Sequence, residues 1–382
     1  MKLEQRGEHS RMPLRNGYSP IGLDLGDTSI KMVQLRADKT GQWEIHAIAR
    51  QSCARTDSGN ADGDETEAQV SMIKQMLAEH NFVGRNAATV LRRADVLIRP
   101  VNLPRKLDPR DPEKVWEALQ SEARRYLPYP PEEAVLDFLT VGKVRDEEEE
   151  KLEVLLVSAP EEKVNAHLSL LSAAGLHCTF IDIVPCAVIR IASPNGVRDS
   201  DGATVVVEIG DRATVIAIVR AGQLLFSRSV NTGGATLTEV IAETLGLEAE
   251  RAETFKRKYG IDHRASGTAE FADDSRISPQ SMPGILYKLC QQELKRLSHE
   301  IKRSVDYFVT QFCEVNVGRV LLFGGGANLR GLTEFLADET GLIVDVGDPF
   351  VSVRAHGALL NEEVDRDRAS FSVALGLALR QG

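Results

Sequence analysis

Hydrophobic and polar positions along this chain follow one pattern twice, with a shift of 184 residues. Each copy begins with an apolar strand, at 21–25 and 205–209, and runs through an acidic residue, an apolar residue, glycine and aspartate. A second strand and a turn follow, and a third strand is predicted at 43–49 and at 224–230. The pattern therefore predicts a three-stranded meander at the start of each half.

Helices are predicted wherever apolar residues recur at helical spacing. The longest runs from Ile285 to Phe312, and its apolar stripe is typical of a core-facing helix. An apolar helix, Phe371–Leu379, ends the predicted structure, and we expect it to dock on the first half. A strand at 319–323 runs directly into Gly324, Gly325 and Gly326. The other predicted helices in the two halves span 64–80, 112–127, 235–245 and 248–259.

The segment 87–178 is predicted to form a separate α+β insert between the two repeats. It contains a helix at 112–127, two strands at 134–142 and 152–158, and a helix that ends at Gly175. The charge run 145–150 between the strands is interpreted as a solvated hairpin tip. A polar stretch at 262–282, in the second half, is predicted to be a loop.

Length and charge narrow the class of protein. A chain of 382 residues with 42% hydrophobic positions is too long for one core, so two or more domains are expected. The net charge of −10 disfavours nucleic-acid binding, because contact with the phosphate backbone needs a surplus of positive side chains. Five cysteines without a C-x-x-C pair disfavour disulfides and a thiolate zinc site. No apolar run suits a membrane span or a signal peptide, which predicts a cytoplasmic protein without direct membrane insertion.

The two glycine hairpins are candidate phosphate-binding turns, because consecutive backbone N–H groups in a tight turn can bind an anion. A single Gly-Asp hairpin is equally well explained as a structural turn, but two matched hairpins facing each other could grip a polyphosphate. Lys31 either reaches the same place or points to solvent. The candidate ligands are Gly26, Asp27, Thr28 and Ser29 in the first hairpin, and Gly210, Asp211, Arg212 and Thr214 in the second.

A divalent metal is expected where the first strand of each copy ends. Asp24 and Glu208 hold equivalent positions there and would meet at the floor of a cleft between the halves. Their mutual repulsion would be offset by a hard cation bound through water. The sequence therefore predicts Mg²⁺ held by these two carboxylates.

Two further features could hold the rest of a nucleotide. The strand–Gly-Gly-Gly–helix turn at 319–332 would let a flat ring approach the backbone, or it is only a tight connection. Glu253 and Lys256 share a helix face and could hold a ribose, or they form an exposed ion pair. Neither G-x-G-x-x-G nor G-x-x-x-x-G-K-[ST] is present to suggest a different nucleotide-binding fold.

The order of these elements resembles the nucleotide-binding elements of the actin-like ATPase superfold, and the likeness covers about residues 18–380. The fold implied is α/β, with two duplicated lobes around a nucleotide cleft and an inserted SHS2-like α+β subdomain. It implies ATP and Mg²⁺ as cofactors. The resemblance adds these site residues: Gly233, Gly234, Glu300, Ser304, Gly324, Gly325, Gly326 and Asn328.

The insert narrows the resemblance to the PilM/FtsA family, through the segments 97–104, 122–130, 135–138 and 153–157. The family implies a cytoplasmic adaptor of type IV pilus or related assembly, peripheral to the inner membrane. Its partner would be the cytoplasmic N-terminal tail of a PilN-like membrane protein, with other pilus components possible. The tail would lie between 94–103 and the helix carrying the apolar residues Trp116, Leu119 and Tyr126, unless these are only core residues.

The resemblance also implies a domain division. The insert lies between the two parts of the first lobe, and the second lobe carries an outer subdomain. The expected bounds are a leader at 1–17, a first lobe at 18–86 and 179–200 with 366–380 docked on it, an insert at 87–178, a second lobe at 201–234 and 313–365, and its outer subdomain at 235–312.

Two departures from the family pattern bear on catalysis. Glu208 replaces the usual aspartate, and Val184 stands where related proteins carry an acidic residue near the attacking water. Valine cannot accept a proton, so hydrolysis is expected to be slow or absent. Asp182 is a weak substitute candidate. The alternatives are a small-molecule kinase on the same superfold and an FtsA-like filament-forming ATPase.

Overall fold

The computed structural model describes most of the chain. The predicted leader, 1–17, lies outside the described residues except for Gly17, and so do residues 265–280 of the predicted loop and the hairpin tip at 147–148. The described residues are 17–53, 62–103, 107–146, 149–195, 202–264, 281–311, 316–355 and 362–380.

The first lobe is built on a five-stranded sheet that opens with the predicted meander. β1 (Ile21–Leu25), β2 (Ser29–Ala37) and β3 (Trp43–Ser52) pair antiparallel in chain order. β4 (Asn86–Val90) lies parallel to β1, and β8 (His177–Asp182) lies parallel to β4. The sheet order is β3-β2-β1-β4-β8.

The second lobe repeats this sheet strand for strand. β9 (Ala203–Ile209), β10 (Thr214–Arg220) and β11 (Gln223–Val230) form the antiparallel meander. β12 (Val317–Phe323) and β13 (Ile343–Val346) extend it as parallel strands, which gives the order β11-β10-β9-β12-β13. The duplication predicted from the sequence is confirmed.

Helices cover the sheets and fill the outer part of the second lobe. Asp111 accepts a hydrogen bond from the N–H of Lys114 and so caps α2, as its position before Pro112 indicates. α5, α6 and α7 pack on one another beside the second sheet. The helices are α1 (Asp62–Glu79), α2 (Pro112–Ala123), α3 (Glu161–Ala173), α4 (Val184–Ala192), α5 (Gly234–Leu245), α6 (Ala249–Tyr259), α7 (Met282–Gln311), α8 (Leu332–Thr340), α9 (Glu362–Arg366) and α10 (Ser372–Ala378).

The insert is smaller than the predicted segment 87–178. Its sheet has the order β5-β7-β6, formed by β5 (Leu97–Leu103), β6 (Ala134–Asp146) and β7 (Glu149–Pro160), with α2 on one face. β4 belongs to the first-lobe sheet instead, because it pairs with β1 and β8. α3 also packs on that sheet, since Leu170 and Leu171 share a core with β1 and α1.

The two aromatic residues proposed as groove walls pack against the core of the insert. Trp116 is partly buried, and its ring stacks on Phe138 with centroids 6.1 Å apart. Tyr126 is likewise partly buried against the same cluster, and Leu119 is fully buried within it. Both aromatic residues therefore contribute to packing, and each keeps some exposed surface.

The second face of the insert sheet packs against the second lobe. Side chains of β7 alternate between the two faces of its sheet. Leu155 and Val157 join the core that includes β9 to β11, whereas Val154 and Leu156 join the cluster beneath α2. The Gln223 side chain at the start of β11 also donates to the backbone carbonyl oxygens of residues 140 and 141 on β6, at 2.9 and 3.2 Å. The insert thus contacts both lobes.

Candidate functional site

The two predicted phosphate hairpins are matching tight turns at the same edge of the two sheets. The N–H of Gly26 donates to the carbonyl of Ser29 at 3.1 Å, and the N–H of Gly210 donates to Ala213 at 3.0 Å. Asp27 and Arg212 are exposed at the tips of the turns. The equivalence of the turns follows from the equivalent strands that carry them.

Not every predicted hydroxyl ligand faces outward from these turns. Thr214 is fully buried, and its hydroxyl donates to the carbonyl of Thr232 at 2.7 Å. Ser29 is also buried, with 1% of its surface exposed, whereas Thr28 is half-buried. Thr214 therefore braces the second hairpin, which corrects the expectation that its side chain binds phosphate.

Lys31 points into the site rather than to solvent. It lies opposite Asp24 across the β1–β2 pair, and its Nζ is 3.1 Å from Asp24 Oδ2. Both side chains are about nine-tenths buried. In the second lobe the residue paired with Glu208 across β9 and β10 is Val215, so that carboxylate has no equivalent lysine.

The cation beside Glu208 is Arg93, which comes from the other lobe. Arg93 follows β4, and its guanidinium forms an ion pair with Glu208 Oε2 at the end of β9. A Cβ on Gly210 would lie 3.2 Å from Arg93 Nη1, so glycine leaves the room that the guanidinium occupies. Burial acts to lower the pKa of Arg93, but Glu208, together with Asp24 and Asp27 of the first hairpin, raises it.

These contacts bring the two hairpins together around a small cluster of charges. Burial raises the pKa of Glu208; Arg93 opposes this shift most strongly, Asp24 adds to it and Lys31 opposes it. Asp24 and Glu208 are therefore close enough for the charge of Asp24 to act on Glu208. Their repulsion, however, is offset by Lys31 and Arg93, so the charge argument that predicted Mg²⁺ does not apply to this arrangement.

Backbone hydrogen bonds hold the glycine pair at the start of α5 against the second hairpin. The N–H of Gly234 donates to Gly210 at 3.0 Å, and the N–H of Ala235 donates to Asp211 at 2.8 Å. Gly233 precedes α5 and has an extended backbone there. The pair Gly233 and Gly234 thus lies directly beside the second hairpin turn.

Glu253 and Lys256 form a largely buried pair that is tied to the same turn. Lys256 Nζ lies 2.6 Å from Glu253 Oε2 and donates to the carbonyl of Gly234 and to Thr238 Oγ1, each at 2.7 Å. Burial alone would raise the pKa of Glu253, but Lys256, Arg257 and Thr238 lower it to about 2. The pair is therefore a structured part of the site's edge rather than an exposed surface pair.

The triple-glycine turn packs against the end of β9. Gly324 has φ of +84°, which favours glycine, and a Cβ there would lie 2.7 Å from Glu208 Oε1. Gly325 and Gly326 begin a short turn that leads to Asn328. The side-chain amide of Asn328 donates to Asp367 Oδ1 at 2.5 Å, and Asp367 pairs with Arg50 of β3. Asn328 therefore links the turn to the first lobe.

Glu300 and Ser304 have their contacts elsewhere. Glu300 on α7 lies 2.6 Å from Arg228 on β11, and the hydroxyl of Ser304 donates to the carbonyl of Glu300 at 2.8 Å. Ser304 is fully buried. These contacts join α7 to the second sheet and do not bring the two residues to the hairpins.

Asp182 is fixed by two arginines. Its Oδ2 lies 2.5 Å from Arg190 and 3.1 Å from Arg380, and its Oδ1 accepts the N–H of Ile183 at 2.8 Å. Burial acts to raise the pKa of Asp182, and the two arginines lower it below the ordinary value. These partners argue against a catalytic base at Asp182. Val184, at the start of α4, is buried in the shared core.

Arg93 is the site residue that the sequence interpretation missed. Its signal is positional: β4 runs parallel to β1, with Leu23 paired to Thr89, so residues after Val90 emerge beside Asp24. Carboxyl ends of neighbouring parallel strands meet at one sheet edge and often carry ligands. The predicted insert, 87–178, includes 87–90, and this relationship is therefore not visible in the sequence pattern.

Solved structures with similar folds define the class of this protein. A chain of a PilM–PilN type IV pilus biogenesis complex superposes with a TM-score of 0.77 and 27% identity, covering 95% of this chain and 98% of that one. MreB 5 of Spiroplasma citri, bound to AMPPNP, gives a TM-score of 0.50 at 12% identity, covering 93% of each chain. The fold is the actin-like ATPase fold, as the resemblance implied.

Sequence comparison gives the family. The model of the type IV pilus assembly protein PilM family matches residues 22–266 and 285–382. This chain belongs to the PilM family. The cell division protein FtsA of Streptococcus pneumoniae is 22% identical over 355 residues, which cover 88% of this chain and 76% of that protein.

Two kinds of feature are absent from the described residues. No helix among them is long and apolar enough to cross a bilayer. Within the same residues, no group of three or more His, Cys, Asp or Glu side chains is arranged to hold a metal ion.

Proposed function

We propose that this protein is an ATP-binding adaptor of type IV pilus or related assembly, in which nucleotide-dependent closure of the lobes alters the binding of a membrane partner's tail. The observation that carries the proposal is the ion pair between Arg93 and Glu208, because it joins the first lobe to the strand end that carries the second glycine hairpin. A triphosphate between two such turns would receive backbone N–H groups from both lobes.

The residues present fit a nucleotide. The hairpin at 26–29 and the hairpin at 210–213 supply backbone N–H groups, and Lys31 and Arg93 supply buried positive charge beside them. The adenosine would lie along the second lobe, beside the turn at 210–213 that Glu253 and Lys256 border. Binding of ATP would supply the free energy for closure of the two lobes.

Magnesium fits less well than ATP. Asp24 and Glu208 each already have a buried cationic partner, so a metal bound by them through water would compete with Lys31 and Arg93. We therefore derive no step through Mg²⁺. The two positions considered for a catalytic base support slow hydrolysis at most, since Val184 is apolar and Asp182 is held by Arg190 and Arg380.

The partner that we propose is the cytoplasmic N-terminal tail of a PilN-like inner-membrane protein. The structural relative is a PilM–PilN complex. β5 is an edge strand of the insert sheet, and an extended tail can add to such an edge while its alternate side chains enter pockets. Arg99 and Asn102 on β5 are exposed beside this edge. Association with the membrane would then be peripheral, through the partner.

Binding of a tail peptide to the full chain tests the proposal. A synthetic peptide of a PilN N-terminal tail is titrated into the protein with and without ATP, and Arg99→Glu is compared with Arg85→Glu, an exposed arginine outside the insert. We expect ATP to bind and to change the affinity of the protein for the peptide. Of the two substitutions, only Arg99→Glu should weaken peptide binding. Failure to bind ATP, or equal peptide binding by both variants, would overturn the proposal.

The FtsA likeness supports a second candidate, a filament-forming ATPase. Sedimentation of the protein with ATP separates it from the adaptor, since only a filament former pellets. The kinase alternative needs a base over the terminal phosphate, and the contacts of Asp182 do not favour it.

A further inference from the structure

Arg93 belongs to the cleft by its side chain and to the insert by its position in the chain. It stands in the short turn Arg93–Asp95, between β4 of the first-lobe sheet and β5 of the insert. Its side chain is 16% exposed and reaches Glu208 of the second lobe. One side chain therefore joins the start of the insert to the floor of the cleft.

The duplication of the lobes makes this arrangement asymmetric. In the first lobe, the acidic residue at the end of the first strand, Asp24, has its own lysine, Lys31. In the second lobe, the equivalent of Lys31 is Val215, and Glu208 depends on Arg93. The second lobe thus has its carboxylate neutralised by the other lobe, and any change in lobe separation acts on this pair.

The hydrogen-bonding capacity of Arg93 is not used up by Glu208. In the described part of the chain, the Nε of Arg93 is buried and has no hydrogen-bond partner. A buried, unpartnered donor of this kind is costly unless a ligand accepts its hydrogen bond. The guanidinium has five N–H donors in a fork that matches phosphate, and here it lies between the two hairpin turns.

We propose that Arg93 is a ligand of the terminal phosphate of ATP, and that it couples occupation of the cleft to the position of β5. This inference rests on the proposed function. Arg93 enters from the first lobe and lies at the floor of the cleft, against Glu208 and beside Gly210 of the second hairpin. A triphosphate held between the two hairpins would bring its phosphates to this guanidinium, and we assign to Arg93 the terminal phosphate because it carries the largest negative charge.

The coupling route is short. The residue after Arg93 is Ala94, which begins the segment 94–103 assigned as one wall of the partner groove. β5 pairs along its length with β7, from Leu97 with Ser158 to Leu103 with Leu152. A shift of Arg93 from Glu208 towards a phosphate would displace the first residues of β5, and with them the sheet edge that the partner tail uses.

Nucleotide affinity measured by calorimetry tests this role. AMPPNP and ADP are titrated into the wild-type chain, into Arg93→Gln, and into Arg92→Gln as a matched control. Arg92 is the neighbouring arginine, about half exposed and paired with Asp95. We expect Arg93→Gln to lose about tenfold or more in AMPPNP affinity and less than about threefold in ADP affinity. Arg92→Gln should match the wild type with both nucleotides.

Hydrogen exchange supplies a second readout that does not depend on affinity alone. With AMPPNP, the amides of 94–103 should change their exchange in the wild type and in Arg92→Gln but not in Arg93→Gln. If Arg93→Gln does not fold, Arg93→Lys is used instead, because lysine keeps the positive charge but lacks the forked N–H donors of the guanidinium. Its affinity for AMPPNP should fall by less than that expected for Arg93→Gln, and its affinity for ADP should not change.

The outcomes separate this inference from the proposed function. The role of Arg93 would be overturned, and ATP binding left intact, if the folded Arg93 variant kept the wild-type ratio of AMPPNP to ADP affinity and showed the same AMPPNP-induced change in exchange at 94–103 as the wild type. A wild-type protein that binds neither nucleotide would overturn both.

Discussion

Gly22 on β1 lies directly against Ala374 on α10. A Cβ on Gly22 would clash with the carbonyl oxygen of Ala374 and would lie 2.7 Å from the backbone nitrogen of Ala378. The final helix is therefore packed backbone to backbone on β1, the central strand of the first lobe. This contact helps to fix the strand that ends in Asp24.

Substitution Gly22→Ala should destabilise the protein, because neither partner at this contact is a flexible side chain. We expect the free energy of unfolding to fall by about 2 kcal/mol. Urea denaturation measures it. Gly318→Ala is the matched control, since Gly318 also lies on a strand but has no atom within 4 Å of an added Cβ. Equal effects of the two substitutions would contradict the packing described.

Asp182 should prove structural rather than catalytic. Asp182→Asn leaves two partly buried arginines, Arg190 and Arg380, without their carboxylate partner, so the free energy of unfolding should fall by about 3 kcal/mol. Asp345→Asn, which breaks the partly exposed pair with Arg319, should cost less than about 1 kcal/mol. Thermal or urea unfolding distinguishes these effects. A stable Asp182→Asn protein with lower ATP turnover would instead support a catalytic base.

Glu153 on β7 should make stability depend on pH. It is 4% exposed, and burial raises its pKa to about 7. The folded state then holds a proton that the unfolded chain has lost between about pH 4.5 and pH 7, so stability falls as pH rises through this window and levels off above it.

Glu153→Gln mimics the protonated form and removes this dependence. The free energy of unfolding of Glu153→Gln minus that of the wild type should rise from near zero at about pH 4.5 to about 3 kcal/mol at pH 8. Unfolding curves across this range measure the difference. Glu132→Gln, an exposed carboxyl of the insert, should show no such trend. A difference for Glu153→Gln that is the same at every pH would contradict the assignment.

Removal of magnesium should have little effect on nucleotide affinity. Lys31 and Arg93 already neutralise Asp24 and Glu208, so we expect ATP affinity in EDTA to stay within about threefold of that in magnesium chloride. Calorimetric titration measures both values. If ATP affinity falls tenfold in EDTA and added magnesium restores it, the prediction is wrong and Asp24 and Glu208 bind the metal.

Much of the fold could be predicted because the sequence repeats its own pattern. The strands at 21–25 and 205–209 carry matched acid-x-Gly-Asp endings, and a strand's side-chain alternation and turn residues are local signals. β4 falls within the predicted insert because a five-residue strand, Asn86–Val90, gives too short a pattern to show which strands it pairs with. Its place in the sheet depends on pairing with β1 and β8, which no local signal reports.

The site was predictable where it depends on backbone turns and less so where it depends on distant pairs. The turns at Gly26 and Gly210 can be recognised from the sequence. Arg93, in contrast, pairs with Glu208, which is 115 residues further along the chain. The inward direction of Lys31 and the burial of Thr214 also depend on packing around them. Side-chain pairing between lobes is a property of the assembled fold.

The central claim is that both glycine hairpins hold one triphosphate, and a crystal structure of the full chain with AMPPNP tests it most directly. We expect the phosphates to lie between the backbone N–H groups of 26–29 and those of 210–213, with Arg93 beside the terminal phosphate. Nucleotide bound against one hairpin alone, or at another surface of the protein, would contradict the account.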